Sequence, residues 1–173
     1  SGGGAARRQE EAVRPPRGAA RGGGGLYLDG GFGGVGKTHL LASSYYRVPG
    51  GPKAFATFGE LTQVASVFGF AECIELLADH VLVCIDEFEL DDPGNTTLVS
   101  RLLSALVERG GVSVAATSNT LPEQLGEGRF AAQDFLREIN TLAAIFFETV
   151  RIDGPDYRHR DLPPAPEPLT DAE

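Results

Sequence analysis

The sequence predicts an α/β fold in which helices cover both faces of a five-stranded, mainly parallel sheet. Two observations indicate this class. Residues 31–38 read G-F-G-G-V-G-K-T, a glycine-rich loop between an apolar strand pattern and a helical pattern. After that loop, short apolar runs alternate with helical patterns along the chain, as expected when crossover helices join parallel strands.

The glycine-rich loop matches G-x-x-x-x-G-K-[ST], the phosphate-binding loop (P-loop) of nucleotide-binding proteins. Glycines let the backbone curl so that its N–H groups point at phosphate, and the following helix adds its positive end. Lys37 is expected to reach the β- and γ-phosphates, and the Thr38 hydroxyl to ligate Mg²⁺. The fold is therefore predicted to be the three-layer sandwich of a P-loop NTPase. The predicted ATP-binding residues are Gly31, Gly33, Gly34, Val35, Gly36, Lys37, Thr38 and His39.

The remaining elements follow from local sequence signals. The first strand is expected at 26–28, and the helix after the P-loop stops before two prolines and two glycines at 49–52. Asp92 followed by Pro93 predicts a helix start, with a capping side chain and proline at the first helical position. The other predicted elements are a helix at 38–46, a strand at 53–58, helices over 60–78 broken near 68–70, a strand at 81–85, a helix at 93–109, a strand at 112–117, a helix at 130–142 and a strand at 144–151.

Composition divides the chain into three parts. Residues 1–25 hold eight glycines and five arginines against two glutamates, which predicts a disordered leader with a charge of +3. The core is predicted over 26–160, and a disordered, proline-rich acidic tail over 161–173. The net charge of −9 leaves −12 outside the leader, so nucleic acid is an unlikely partner for the core.

Targeting signals and cysteine usage indicate a cytoplasmic protein. No signal peptide is visible and no apolar run approaches membrane-spanning length. The two cysteines do not make a disulfide framework, and Cys84 is expected to be a buried free thiol. Methionine is absent even at position 1, which suggests an excised or processed piece of a longer protein.

A second motif follows the apolar run at 81–85, where Asp86 and Glu87 end the strand. The carboxyl ends of parallel strands share one edge of a sheet, so both acids are expected beside the P-loop. Asp86 is predicted to anchor Mg²⁺ together with Thr38, and Glu87 to act as the general base that activates water.

Two further residue types complete the predicted constellation. Asn119 ends the strand at 112–117 and is predicted to position the attacking water near the γ-phosphate. Phosphoryl transfer gains from an added positive charge, often an arginine supplied by a neighbouring subunit. Arg129 is the predicted catalytic arginine, with Arg137 as the alternative, and a homo-oligomer would supply it.

The motifs resemble the ZapE family, cell-division ATPases of the AAA+ superfamily. The resemblance covers about residues 26–166 and implies Mg²⁺-dependent ATP hydrolysis and association with the division machinery. It also implies an AAA+ core that here lacks the small lid, since the region after the fifth strand is missing or replaced. The matching runs are 26–32 (LYLDGGF), 36–41 (GKTHLL), 84–93 (CIDEFELDDP), 116–122 (ATSNTLP), 126–132 (GEGRFAA) and 156–160 (DYRHR).

Two other functions stay open at this point. One is a binding module that takes up ATP with negligible turnover, because the lid and a partner arginine are absent. The other is a helicase-loader-type AAA+ protein acting at DNA, which the acidic body disfavours. A GTPase is disfavoured because no Asn-Lys-x-Asp motif follows the fourth strand.

Overall fold

The computed structural model describes residues 25–30, 36–109, 111–128, 132–146 and 148–152. The predicted acidic tail and residues 1–24 of the predicted leader lie outside these ranges. So do four predicted loop residues, Gly31, Gly33, Gly34 and Val35, and the predicted catalytic Arg129. Residue 25, placed in the leader by composition, opens the first strand instead.

The described chain alternates strands and helices around one sheet. The strands are β1 (Gly25–Asp29), β2 (Lys53–Thr57), β3 (Leu82–Asp86), β4 (Ser113–Ser118) and β5 (Glu148–Arg151). The strand order in the sheet is β2-β3-β4-β1-β5, and all four neighbouring pairs are parallel, which confirms the predicted α/β sandwich. The helices are α1 (Lys37–Arg47), α2 (Phe58–Phe68), α3 (Phe70–Leu77), α4 (Pro93–Glu108) and α5 (Leu136–Ile145), with 3₁₀ turns at Pro122–Gln124 and Ala132–Phe135.

The central strands β1, β3 and β4 are buried on both faces because their alternate side chains enter two separate apolar clusters. Tyr27 and Val83 lie in the larger cluster, against α2, α3, α4 and α5. Leu28 and Cys84 lie in the smaller cluster, against Leu41 of α1. Cys84 is the expected buried free thiol. These two clusters are the interfaces of the three-layer sandwich.

Capping chemistry sets the helix starts. The Asp92 carboxylate accepts a hydrogen bond from the backbone N–H of Asn95 at 2.9 Å, with Pro93 at the first position, as predicted. Thr57 and Glu60 form a capping box at the start of α2. The predicted break near 68–70 is also present, because Gly69 separates α2 from α3.

The predicted boundary between the last helix and the last strand was wrong. The segment predicted as the start of a strand at 144 belongs to α5, which ends at Ile145, and β5 starts only at Glu148. Ile139, Leu142 and Ile145 recur at helical spacing and are buried together, so packing extends the helix into the apolar run. The first half of the predicted 130–142 helix contains the 3₁₀ turn, and α5 itself starts at Leu136.

Strand register brings the polar strand ends to one edge. Asp29 of β1 lies opposite Ser118 of β4 and Arg151 of β5, and Thr57 of β2 lies opposite Asp86 of β3. At the carboxyl edge of this sheet, β1 therefore ends just before the glycine-rich loop, and β3 ends at Asp86, with Glu87 directly after it.

Candidate nucleotide-binding site

Lys37 stands at the centre of the carboxyl edge. Gly36 has a φ of +92° and precedes the first residue of α1, a turn that a side chain would disfavour. The Lys37 ammonium donates to the carbonyl oxygen of Gly30 at 2.7 Å and to Oδ1 of Asn119 at 2.8 Å. One cation thus joins the end of β1 to the end of β4.

The surroundings of Lys37 are buried and rich in carboxylates. Its side chain is 8% exposed, and burial lowers the pKa of the ammonium from its ordinary value. The carboxylates of Asp29, Glu89 and Asp86 oppose that shift by stabilising the charged form. Asp29 is itself buried, so this edge holds negative charge that a bound phosphate would meet unless cations intervene.

Asp86 lies beside Thr38, as a shared metal site requires. The Thr38 hydroxyl donates to Oδ1 of Asp86 at 3.1 Å, and the Thr117 hydroxyl donates to the same oxygen. Neighbouring ligands of octahedral Mg²⁺ at 2.0–2.1 Å lie about 2.9 Å apart, so Thr38 and Asp86 oxygens fit adjacent positions around one ion.

The donor set also suits Mg²⁺ in number. Within the described ranges no group of three or more His, Cys, Asp or Glu side chains is arranged to hold a metal. Mg²⁺ usually takes one or two protein ligands, with water and substrate phosphates completing its shell. A site built from Thr38 and Asp86 would provide two protein ligands, which is within that usual number.

Glu87 is held in an unusual backbone conformation. Its φ is +55°, the only positive value among the described non-glycine residues. Its N–H donates to the Thr117 hydroxyl at 3.0 Å, and the next N–H, of Phe88, donates to the Thr117 carbonyl at 2.7 Å. Thr117 therefore fixes the backbone N–H groups of Glu87 and of the residue after it, while the Glu87 side chain is exposed to solvent.

Phe88 anchors the segment behind this clamp. Its ring is fully buried and lies edge-on to Phe58 at 5.1 Å and to Phe146 at 5.4 Å between centroids. Tyr27 packs beside it at 6.4 Å. A bulky aromatic fixed in the core immediately after Glu87 keeps the backbone of the acidic motif in register with β4.

The structure brings six predicted site residues to this edge: Gly36, Lys37, Thr38, Asp86, Glu87 and Asn119. His39 follows Thr38 in the first turn of α1 and is exposed. Arg137 lies on α5, where it lines a groove with residues of α4 such as Arg101.

Three residues at the site were missed from the sequence. The first is Thr117, which forms hydrogen bonds with Asp86 and Glu87. The second is Glu89, which accepts hydrogen bonds from Ser118 and Asn119 at the end of β4. The third is Asp29, a buried carboxylate whose charge acts on Lys37. The available signal was the polar run T-S-N-T at the end of an apolar strand, since buried hydroxyls need partners.

Comparison with known sequences matches the chain to one family model and to curated relatives. The AFG1-like ATPase family model matches residues 5–172. The cell division protein ZapE of Escherichia coli strain K12 is 31% identical over 149 residues, which are 80% of this chain and 39% of that protein. The chain thus spans about two fifths of the length of this curated relative.

Solved structures share the fold at lower identity. Domain III of the Thermotoga maritima replication initiation protein DnaA has a TM-score of 0.63 at 20% identity, over 90% of this chain and 65% of that one. AMPPCP-bound DnaA from Aquifex aeolicus has a TM-score of 0.58 at 17% identity, over 88% of this chain and 46% of that one. In the described part of the chain, every helix is too short or too polar to cross a membrane.

Proposed function

The chain belongs to the AFG1-like ATPase family, and from that premise we propose that it binds ATP with Mg²⁺ at the carboxyl edge of its sheet and hydrolyses the γ-phosphate. The observation that supports this best is the convergence of two contacts. The Thr38 hydroxyl donates to Asp86 at 3.1 Å and the Lys37 ammonium donates to Asn119 at 2.8 Å, so two consecutive residues at the start of α1 contact the ends of β3 and β4.

Each residue has a role that its contacts support. Lys37 is held by two fixed acceptors at the mouth of the loop, where its charge would face the β- and γ-phosphates. Thr38 and Asp86 would hold Mg²⁺ between them. When bound, Mg²⁺ supplies positive charge that offsets the phosphate oxygens and the carboxylates of this edge.

Glu87 is the proposed general base. Its backbone is fixed by Thr117 and its carboxylate is exposed, so it can reach a water beyond the γ-phosphate. The water oxygen attacks the γ-phosphorus, the bond from that phosphorus to the ADP oxygen breaks, and the water proton passes to Glu87. Asn119 would orient that water from the end of β4.

The wider role is inferred from the relatives. We propose cytoplasmic action on the division machinery, because ZapE is described as a cell division protein. We also propose a homo-oligomer in which a neighbouring subunit supplies an arginine. Arg129 lies outside the described residues, and Arg137 is exposed on α5 and could reach a neighbour.

Steady-state phosphate release tests the proposal directly. The wild-type chain and Glu87→Gln are compared at several protein concentrations with saturating MgATP, and Glu127→Gln, an exposed glutamate in the turn after Pro122–Gln124, serves as the matched control. We expect release to fall about 100-fold or more in Glu87→Gln while ATP affinity is kept, because only proton transfer is removed. Turnover per chain that rises with concentration would support sites completed between subunits.

Two results would contradict the proposal. Phosphate release that is the same in the wild-type and Glu87→Gln chains and stays at background would leave an ATP-binding module without turnover, and equal release above background would remove Glu87 as the general base. Failure of the wild-type chain to bind MgATP would remove the binding function as well.

A further inference from the structure

Glu89 accepts three hydrogen bonds at the carboxyl edge of the sheet, although none of the roles proposed above involves it. Its Oε1 accepts from the Ser118 hydroxyl at 2.7 Å and from the Asn119 backbone N–H at 2.8 Å. Its Oε2 accepts from the Thr120 hydroxyl at 2.9 Å. Three donors on three consecutive residues therefore share one carboxylate.

The hydrogen bonds to Glu89 lie at the end of β4, where the chain leaves the hydrogen-bond ladder of the sheet. β4 ends at Ser118, so Asn119 and Thr120 lie beyond the last ladder residue. Thr120 is tied again through its carbonyl oxygen, which accepts from the Tyr27 hydroxyl at 2.6 Å. The backbone on both sides of Asn119 is thus fixed, by Glu89 from β3's loop and by Tyr27 from β1.

The position of Asn119 decides what Lys37 contacts. The Asn119 side-chain oxygen accepts from the Lys37 ammonium at 2.8 Å although Asn119 itself is exposed. The backbone position sets which places the rotamers of Asn119 can reach, so a segment 118–120 that moved would carry the side-chain oxygen away from Lys37.

We propose that Glu89 is a positioning residue of the ATPase site: by binding segment 118–120 it holds Asn119 against Lys37. This inference rests on the proposed function. It assigns Glu89 no contact with ATP, Mg²⁺ or the attacking water. Its effect on turnover passes through Asn119.

Two substitutions separate the hydrogen bonds of Glu89 from its charge. Glu89→Ala removes both. Glu89→Gln keeps one carbonyl oxygen for Ser118 and Asn119, and the Thr120 hydroxyl can accept from the new amide. We expect kcat to fall about tenfold in Glu89→Ala with less than a twofold change in ATP affinity, and to recover most of the way in Glu89→Gln. Glu123→Ala, an exposed glutamate just beyond the same segment, is the matched control.

A double-mutant cycle with Asn119→Ala shows whether Glu89 acts through Asn119. We expect Glu89→Ala to lower kcat little further once Asn119 is alanine. If Glu89→Ala lowers kcat by the same factor in both backgrounds, Glu89 acts independently of Asn119 and the inference is refuted.

A measurement without nucleotide keeps this inference apart from the proposed function. Exchange of the Asn119 backbone amide with solvent is expected to accelerate about tenfold or more in Glu89→Ala and to stay slow in Glu89→Gln. Unchanged exchange in Glu89→Ala would overturn the inference even if the chain hydrolyses ATP. A wild-type chain without turnover would refute the proposed function, whatever the exchange shows. If Glu89→Ala fails to fold, Thr120→Val removes one donor to Glu89 alone, whereas Ser118→Ala removes a donor and also the acceptor of the Thr120 backbone N–H. Exchange of the Asn119 amide is then expected to accelerate in Thr120→Val, and unchanged exchange would overturn the inference.

Discussion

Replacing Thr117 with valine removes a single hydroxyl from the centre of the site. That hydroxyl donates to Oδ1 of Asp86 and accepts from the backbone N–H of Glu87 at 3.0 Å. Valine has nearly the same shape, so the buried space at Thr117 stays filled. The substitution therefore tests the two hydrogen bonds with little change in packing.

The expected loss of stability follows from those two bonds. A hydrogen bond to a charged group contributes about 1.5–3 kcal/mol, and a buried donor left without a partner costs about 1–3 kcal/mol. Asp86 keeps its bond from Thr38, so we expect Thr117→Val to lower the free energy of unfolding by about 3 kcal/mol. For a chain of 173 residues, that corresponds to a fall in Tm of about 6–12 °C.

Denaturant unfolding at constant m-value measures this loss. Thr117→Ser keeps the hydroxyl and loses one buried methyl, so it should lose only about 1 kcal/mol. Thr149→Val on the exposed side of β5 should stay within about 0.5 kcal/mol of the wild type. A loss in Thr117→Val no larger than that in Thr117→Ser would show that the hydroxyl contributes no more to stability than the methyl, which would contradict the expected worth of its two hydrogen bonds.

Three other substitutions have definite expected outcomes. Lys37→Met should weaken MgATP binding on the order of 100-fold, because it removes the buried cation proposed to contact the phosphates, and titration with a fluorescent ATP analogue measures the affinity; unchanged affinity would contradict that proposed role. Glu87→Gly should raise the free energy of unfolding by about 1 kcal/mol while abolishing turnover, since glycine tolerates the φ of +55°; a destabilised variant would show that the conformation is unstrained. Burial raises the pKa of the Cys84 thiol to about 12. The neutral thiol is therefore favoured in the folded state, so stability should fall as pH rises from about 9 toward 12, by up to about 1.4 kcal/mol per pH unit, and Cys84→Ala should flatten that slope in denaturation curves.

The fold and the main site could be predicted because their signals are local. Buried parallel strands are continuous apolar runs, and the P-loop pattern fixes where the first of them ends. The order of strands then brings Lys37, Thr38, Asp86, Glu87 and Asn119 to one edge, and their roles toward ATP and Mg²⁺ stay predictions. The resemblance to the ZapE family is likewise confirmed by the family match.

The features that were missed depend on contacts between distant segments. Glu89 read as one more acid in a polar loop, yet its partners lie about thirty positions away at 118–120. The boundary between α5 and β5 failed for a related reason. The run A-A-I-F-F suits either a helix or a strand, and burial of Ile145 against the larger cluster decides for the helix.

A crystal structure of the chain with AMPPCP and Mg²⁺ would show directly where the nucleotide binds. We expect one nucleotide at the carboxyl edge, with the Lys37 ammonium on its β- and γ-phosphates and one Mg²⁺ within the reach of Thr38 and Asp86, directly or through a single water. A nucleotide bound away from this edge, or a metal held by residues other than Thr38 and Asp86, would contradict this expectation.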